Sequence, residues 1–186
     1  MMVPTREEVL KFVVDLIEGK EKHPFQPNLV YKKLRETHGK NRSPELDKMI
    51  LRQGGNLGEP WCLYILQDIL DCIRVHYNCV VRIPEGGGTQ DFYESIAPKY
   101  KKPLATPLSI GIYVNDDMVH GHAVFCLSYF DEHMIFNTFE GNTSAETSDL
   151  IRDGEGAYYR TREVSYPNKK LRGFVDIYAA MRFRDV

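Results

Sequence analysis

Residues 120–142 read HGHAVFCLSYFDEHMIFNTFEGN, two apolar runs on either side of the polar turn Asp131-Glu132-His133. Apolar strand runs flanking so short a turn form the pattern of a β-hairpin. If the hairpin is centred on Asp131, His122 stands directly opposite Glu140 on the same face, with β-carbons about 5 Å apart. An imidazole and a carboxylate so placed can serve as base and orienting group for a nucleophile. A slip of one residue, with Asp131-Glu132 as a two-residue turn, would pair His122 with Gly141 and turn Glu140 to the other face. His120 competes for the role from two residues away, whereas His23, His38, His76 and His133 fall in helices, turns or their edges. Gly121 favours His122 by letting another segment approach closely; taken alone, this histidine is equally a hydrogen-bonded structural residue.

Outward from the hairpin, period-two patterning predicts strands near 108–114, 121–129, 133–140, 157–164 and 173–183. The first third reads as helical. Thr5-Arg6-Glu7-Glu8 is a capping box for a helix that runs to Gly19, and Pro27 and Pro44 open short helices near 27–38 and 44–53, the second capped by Ser43. Pro60 starts a long helix whose buried face carries Cys62, Ile65, Leu66, Ile69, Cys72 or Ile73, and His76. The glycine run in IPEGGGTQ, 83–90, lacks the neighbours of a phosphate loop and is a connector; a short helix at 91–97 ends at Pro98. Helices followed by consecutive strands imply an α+β fold with a mainly antiparallel sheet. Residues 1–53 are expected to pack as a helical segment on a core formed by 54–186, one compact domain overall.

Composition narrows the class. Apolar residues make up 42% and charged residues 27%, and the formal net charge of −2 is spread along the chain, which argues against a nucleic-acid partner. The opening MMVPTREEVLKFVVDLIEG has acidic residues inside its first apolar stretch, so neither a signal peptide nor a membrane span is expected, and cytosolic synthesis is. The four cysteines, Cys62, Cys72, Cys79 and Cys126, have no metal or redox spacing, so neither a metal nor another cofactor is implied.

Cys62 differs from the other three in position. Residues 54–70, GGNLGEPWCLYILQDIL, place it where a turn passes into a helix, and a thiol in the first turn is where a thiolate forms most readily. The bland reading is a small apolar residue at the start of a buried helix. A thiol at a helix start, with a histidine and a carboxylate brought together by the hairpin, satisfies the requirements of thiol acyl transfer.

GEPWC opening a helix, GHAVF opening a strand, then TFEGNTS and DGEGAYYRTR, resemble the CHAP family of cysteine- and histidine-dependent amidohydrolases and peptidases, relatives of NlpC-type papain-like cell-wall hydrolases. The resemblance spans about residues 54–162 and implies a papain-like domain with Cys62 as nucleophile, His122 as base and Glu140 as third residue. It further implies peptidoglycan as substrate, cut as an N-acetylmuramoyl-L-alanine amidase or within the stem or cross-bridge peptide, by a phage lysin or a delivered effector; an effector implies an immunity protein. TPLSIGIYVN stands where the family has Gly-Asp before the strand preceding the histidine, and Leu63 and Tyr64 replace its small residues after the cysteine. The Cys62 amide and Asn56 are expected as oxyanion donors, Trp61 either as a groove wall or, the commoner fate, packed behind the helix start, Asn142 as a reserve orienting residue or a turn former, and Tyr158, Tyr159, Arg160 and Arg162 as a border for a polar peptide. A papain-like protein peptidase or deamidase, and a catalytically silent structural phage component, are the alternatives.

Overall fold

The structure, a computed structural model, describes residues 3–86, 88–114, 121–143, 154–164 and 170–184. Helix α1, Arg6–Glu18, is closed at its start by the reciprocal pair of Thr5 and Glu8 (Glu8 N to Thr5 Oγ1 3.2 Å, Thr5 N to Glu8 Oε2 2.7 Å) and at its end by left-handed Gly19. Helix α2, Pro44–Arg52, has Ser43 as its cap, with Leu46 N donating to Ser43 Oγ at 3.2 Å. Helix α3, Cys62–His76, follows Trp61 as its N-terminal cap.

Strand β1, Cys79–Val81, precedes α4, Thr89–Ser95; then come β2, Lys101–Lys102, β3, Ser109–Val114, β4, Gly121–Cys126, β5, Ile135–Thr143, β6, Gly156–Glu163, and β7, Lys170–Asp176. The short helix α5, Ile177–Ala180, and β8, Met181–Phe183, complete the described chain. Six strands form an antiparallel sheet in the order β2-β7-β3-β4-β5-β6, and β1 pairs with β8 in a separate ribbon. The α+β class and antiparallel sheet follow the expectation.

Helices α1, α2 and α3 cover one face of the sheet. One apolar cluster joins Val9, Leu16, Leu46 and Met49 from the N-terminal segment to Leu63, Ile69, Ile110 and Phe125 from the rest. Helix α3 is buried on every side from Cys62 to Leu70, the condition of a helix enclosed by other elements. The opposite face of the sheet carries Tyr113, Val124, Cys126, Phe136 and Phe174. There Phe130, Phe136 and Phe174 meet edge to face at 5.0 to 5.7 Å between ring centres.

Four sequence readings are corrected. The helix expected at 27–38 reduces to one 3₁₀ turn, Tyr31–Lys33, because the following segment runs along the sheet edge: Arg35 bridges Gly156, and Glu36 N donates to Glu155 O at 2.8 Å. The strand expected over 173–183 is interrupted by α5, which Asp176 caps by accepting from Ala179 N at 3.0 Å. His76 is exposed and stacks on Phe12 instead of joining the buried face of α3.

The fourth correction concerns the central hairpin. Phe125 pairs with Phe139 and Cys126 with Thr138, a ladder displaced by two residues from one centred on Asp131. The turn is larger than its composition implies: Met134 adopts a left-handed φ of 58°, and Asp131 Oδ1 accepts from the amides of His133 (2.9 Å) and Ile135 (2.8 Å). His122 is therefore diagonal to Glu140, not opposite it. A displacement of two preserves the face of every side chain, so both still point the same way.

Candidate active site

Cys62 is the first residue of α3, buried with 5% of its surface exposed. The helix start reaches the sheet because Gly141 has no side chain: a Cβ there would lie 2.6 Å from Trp61 Cζ3 and 2.7 Å from Ile65 Cγ2. Beside it β4 and β5 part. Among the described residues their ladder covers only the two pairs named above, so the strand end that carries His122 and Ala123 is open toward the helix. The amides of Ala123 and Leu63 lie beside the Cys62 sulfur and favour its thiolate. Gly121 permits the close approach expected of it, here by α4: an added Cβ would lie 2.4 Å from Gln90 Nε2 and 2.6 Å from Thr89 Oγ1.

His122, also buried, sits between the thiol and Glu140. Its Nε2 lies 3.0 Å from Glu140 Oε2. That contact fixes the neutral tautomer with hydrogen on Nε2, since an ionised carboxylate only accepts. Nδ1 is buried and holds no hydrogen bond of its own, while the neighbouring thiol interacts with the ring strongly enough to alter its ionisation. In that neutral tautomer Nδ1 is the acceptor left beside the thiol, the atom that holds the proton once the thiolate–imidazolium pair forms.

Electrostatics favour the ion pair. Burial pushes the Cys62 thiol up, but His122 and the amides of Ala123 and Leu63 outweigh it, and the net shift is downward. Burial likewise opposes the His122 imidazolium, yet the thiol and Glu140 raise it to about 9. Glu140 is lowered to about 2, because His122 and Arg162 overcome its own desolvation. The other cysteines move the opposite way: burial drives Cys72 and Cys126 up to about 12 and raises Cys79. Iodoacetamide at about pH 6 is therefore expected to label Cys62 well before the other three, read by mass spectrometry of the four cysteine peptides; equal, slow labelling of all four would contradict a poised thiolate.

The remaining candidates are placed differently from expectation. Asn56 is exposed and bound to Glu59, its Nδ2 donating to Glu59 Oε1 at 2.8 Å and its backbone amide to Oε2 at 3.0 Å, so it braces the loop before α3 and is not aimed at the thiol. Trp61 takes the packed alternative, fully buried behind the helix start with Nε1 donating to Glu36 Oε1 at 3.3 Å, and does not wall a groove. Asn142 is buried within β5 in a left-handed conformation, φ 54°, and Glu140, not Asn142, holds the imidazole. Tyr159 is 43% exposed, but Arg162 is almost fully buried and bonded to Glu140. His120 lies outside the described residues.

Thr138 escaped the sequence reading, and Arg162 was expected in a different role. Thr138 Oγ1 donates to Glu140 Oε1 at 2.5 Å, and Arg162 grips the same carboxylate. Thr138 was visible in principle, two residues before Glu140 on the same strand face. Arg162 was not, because the long connection between β5 and β6 hides their register.

Among the described residues no group of three or more histidine, cysteine or acidic side chains could hold a metal ion, and no helix is long and apolar enough to cross a membrane. No protein-family model and no curated protein sequence matches the chain.

Proposed function

We propose that this protein is a cysteine-dependent amidohydrolase that opens an amide bond of peptidoglycan through Cys62, His122 and Glu140. The observation that carries the reading is the meeting of the three side chains in one buried site, with each ionised partner favoured by the next. The thiol-bearing helix start set against a histidine-bearing strand is also what a papain-like domain of the CHAP type requires. The substrate rests on the likeness of GEPWC, GHAVF and TFEGNTS to that family's motifs.

In this mechanism His122 Nδ1 takes the Cys62 proton and the thiolate attacks the amide carbonyl. The Cys62 amide at the start of α3, which has no helical carbonyl to bond, is the donor for the developing oxyanion. His122 returns its proton to the departing amine, leaving a thioester. Water, deprotonated by the same histidine, then releases the carboxylate and restores the thiol.

Purified peptidoglycan incubated with the protein is expected to lose turbidity and release soluble fragments, whose masses identify the bond; protein first alkylated with iodoacetamide should release none. Intact peptidoglycan with both preparations would refute the substrate. Ammonia or peptide release from protein substrates by the unalkylated enzyme would then redirect the same site to deamidase or peptidase chemistry.

A further inference from the structure

We propose that Arg162 is a positioning residue of this site: its buried guanidinium locks Glu140 against His122 and balances the carboxylate's charge, so that the thiol can give up its proton in a closed interior. The inference rests on the reading of Cys62 as nucleophile, but not on which amide it opens.

The geometry is specific. Arg162 Nε lies 2.7 Å from Glu140 Oε1 and Nη2 lies 2.5 Å from Oε2, a two-pronged grip on a carboxylate that is fully buried. Oε1 also accepts from Thr138 and Oε2 faces His122 Nε2, so each oxygen serves two partners. A carboxylate offers about four acceptor positions, and with all four engaged it can neither rotate away from His122 nor take up a proton. Arg162 is drawn inward for this purpose. It pairs along the ladder with Phe136, four residue pairs from Glu140, and reaches back past Thr138, while its neighbours Thr161 and Glu163 on β6 are exposed.

Charge balance supplies the second argument. A thiolate, an imidazolium and a carboxylate together carry one net negative charge, and here the three residues are 5%, 2% and 0% exposed. Water cannot screen that excess, so the second anion to form, the thiolate, would be opposed by Glu140. Arg162 brings the cluster to neutrality. Around it, the lead-in to α3 and the helix itself present Glu59 and Tyr64, bonded to each other, and the edge segment presents Glu36, bonded to Trp61. The sheet presents His122 and Cys126 from β4, Glu140 from β5 and Arg162 from β6, so the guanidinium is the counter-ion built into this cluster.

The test is the pH dependence of Cys62 alkylation by iodoacetamide in the full chain, for wild type, Arg162→Gln and Arg162→Lys, with folding followed by circular dichroism. Arg162→Gln is expected to raise the midpoint by about one pH unit, a roughly tenfold slower alkylation at pH below the midpoint, while Arg162→Lys, which keeps the charge, retains the wild-type midpoint. With substrate, both should lower kcat at unchanged KM, because both lose the two-pronged grip. A folded Arg162→Gln protein with the wild-type profile overturns the proposal and leaves Arg162 a structural residue. If Arg162→Gln does not fold, Arg162→Lys decides alone: a wild-type midpoint supports the proposal and a shift of about one unit overturns it. Wild-type protein in which Cys62 titrates like Cys72, Cys79 and Cys126 overturns the nucleophile reading itself, before Arg162 is at issue.

Discussion

Cys62→Ala is expected to abolish amide hydrolysis, lowering turnover by about 10⁵-fold or more, to the background of the assay. The reasoning is chemical: His122 would have no thiol to activate, and a water in its place lacks a fixed position at the start of α3. The wild-type protein should show a bell-shaped pH profile. Activity rises on the acid side as the Cys62 thiol, whose ionisation is favoured, becomes thiolate, and falls on the alkaline side as His122 loses its proton near pH 9 and cannot protonate the departing amine. Both limbs belong to the coupled pair.

Stability follows the same groups. The raised pKa of His122 gives a contribution fully present below its unfolded value of 6.5 and lost as pH rises through about 9. Glu140, depressed to about 2, contributes above 4.5 and loses that contribution as pH falls toward 2. In Cys62→Ala, one of the partners that raise His122 is gone, so the alkaline loss of stability should begin at lower pH. Thermal melts of both proteins between about pH 6 and 10 check this, and identical alkaline limbs would show that the thiol and the imidazole are not coupled.

The largest effect on folding is expected far from the nucleophile. Asp68, fully buried on α3, accepts five hydrogen bonds from four side chains. Its Oδ2 receives His23 Nε2 and Tyr31 OH, each at 2.8 Å, and its Oδ1 receives Arg52 Nε at 3.0 Å, Arg52 Nη2 at 2.5 Å and Gln53 Nε2 at 3.2 Å. On its other side the His23 ring is held by the amides of Phe25 and Gln26, which donate to Nδ1 at 3.1 and 3.0 Å. Asp68→Ala leaves these donors facing a void, with Arg52 losing its carboxylate, a change that costs about 3–5 kcal/mol for a buried pair. At about 2–4 °C per kcal/mol for a chain of this size, the melting temperature should fall by about 10 °C. Asp68→Asn, which keeps the shape and some acceptors, should fall by less. A melting temperature within about 2 °C of wild type for Asp68→Ala would mean that the network contributes little.

Much of the site was legible because it depends on short-range rules. The position of Cys62 follows from a turn running into an apolar helical pattern, and the shared face of His122 and Glu140 follows from alternation along two strands joined by a short turn. What sequence could not supply came from longer-range geometry. The Asp131 side chain and left-handed Met134 enlarged the turn and moved the ladder by two residues. The segment at 27–38 has residues compatible with a helix, but Arg35 and Glu36 bond to the edge of β6 instead, a partner more than 100 residues away. The burial of Arg162 was concealed by the unread register across the β5–β6 connection, although Glu140 is only 22 residues away. A charged residue in a strand is normally solvated, and nothing local distinguishes Arg162, which is fully buried, from Arg160, two residues before it on the same strand face and only half-buried.

The diagonal placement of His122 and Glu140 carries a consequence for how the chain can vary. Because side chains alternate along a strand, lengthening or shortening the turn after β4 by an even number of residues leaves base and carboxylate facing each other, within reach of adjustment. An odd change sends one of them through the sheet. The tip of this hairpin is exposed, yet its length is held to one parity by chemistry at the far end of the strands.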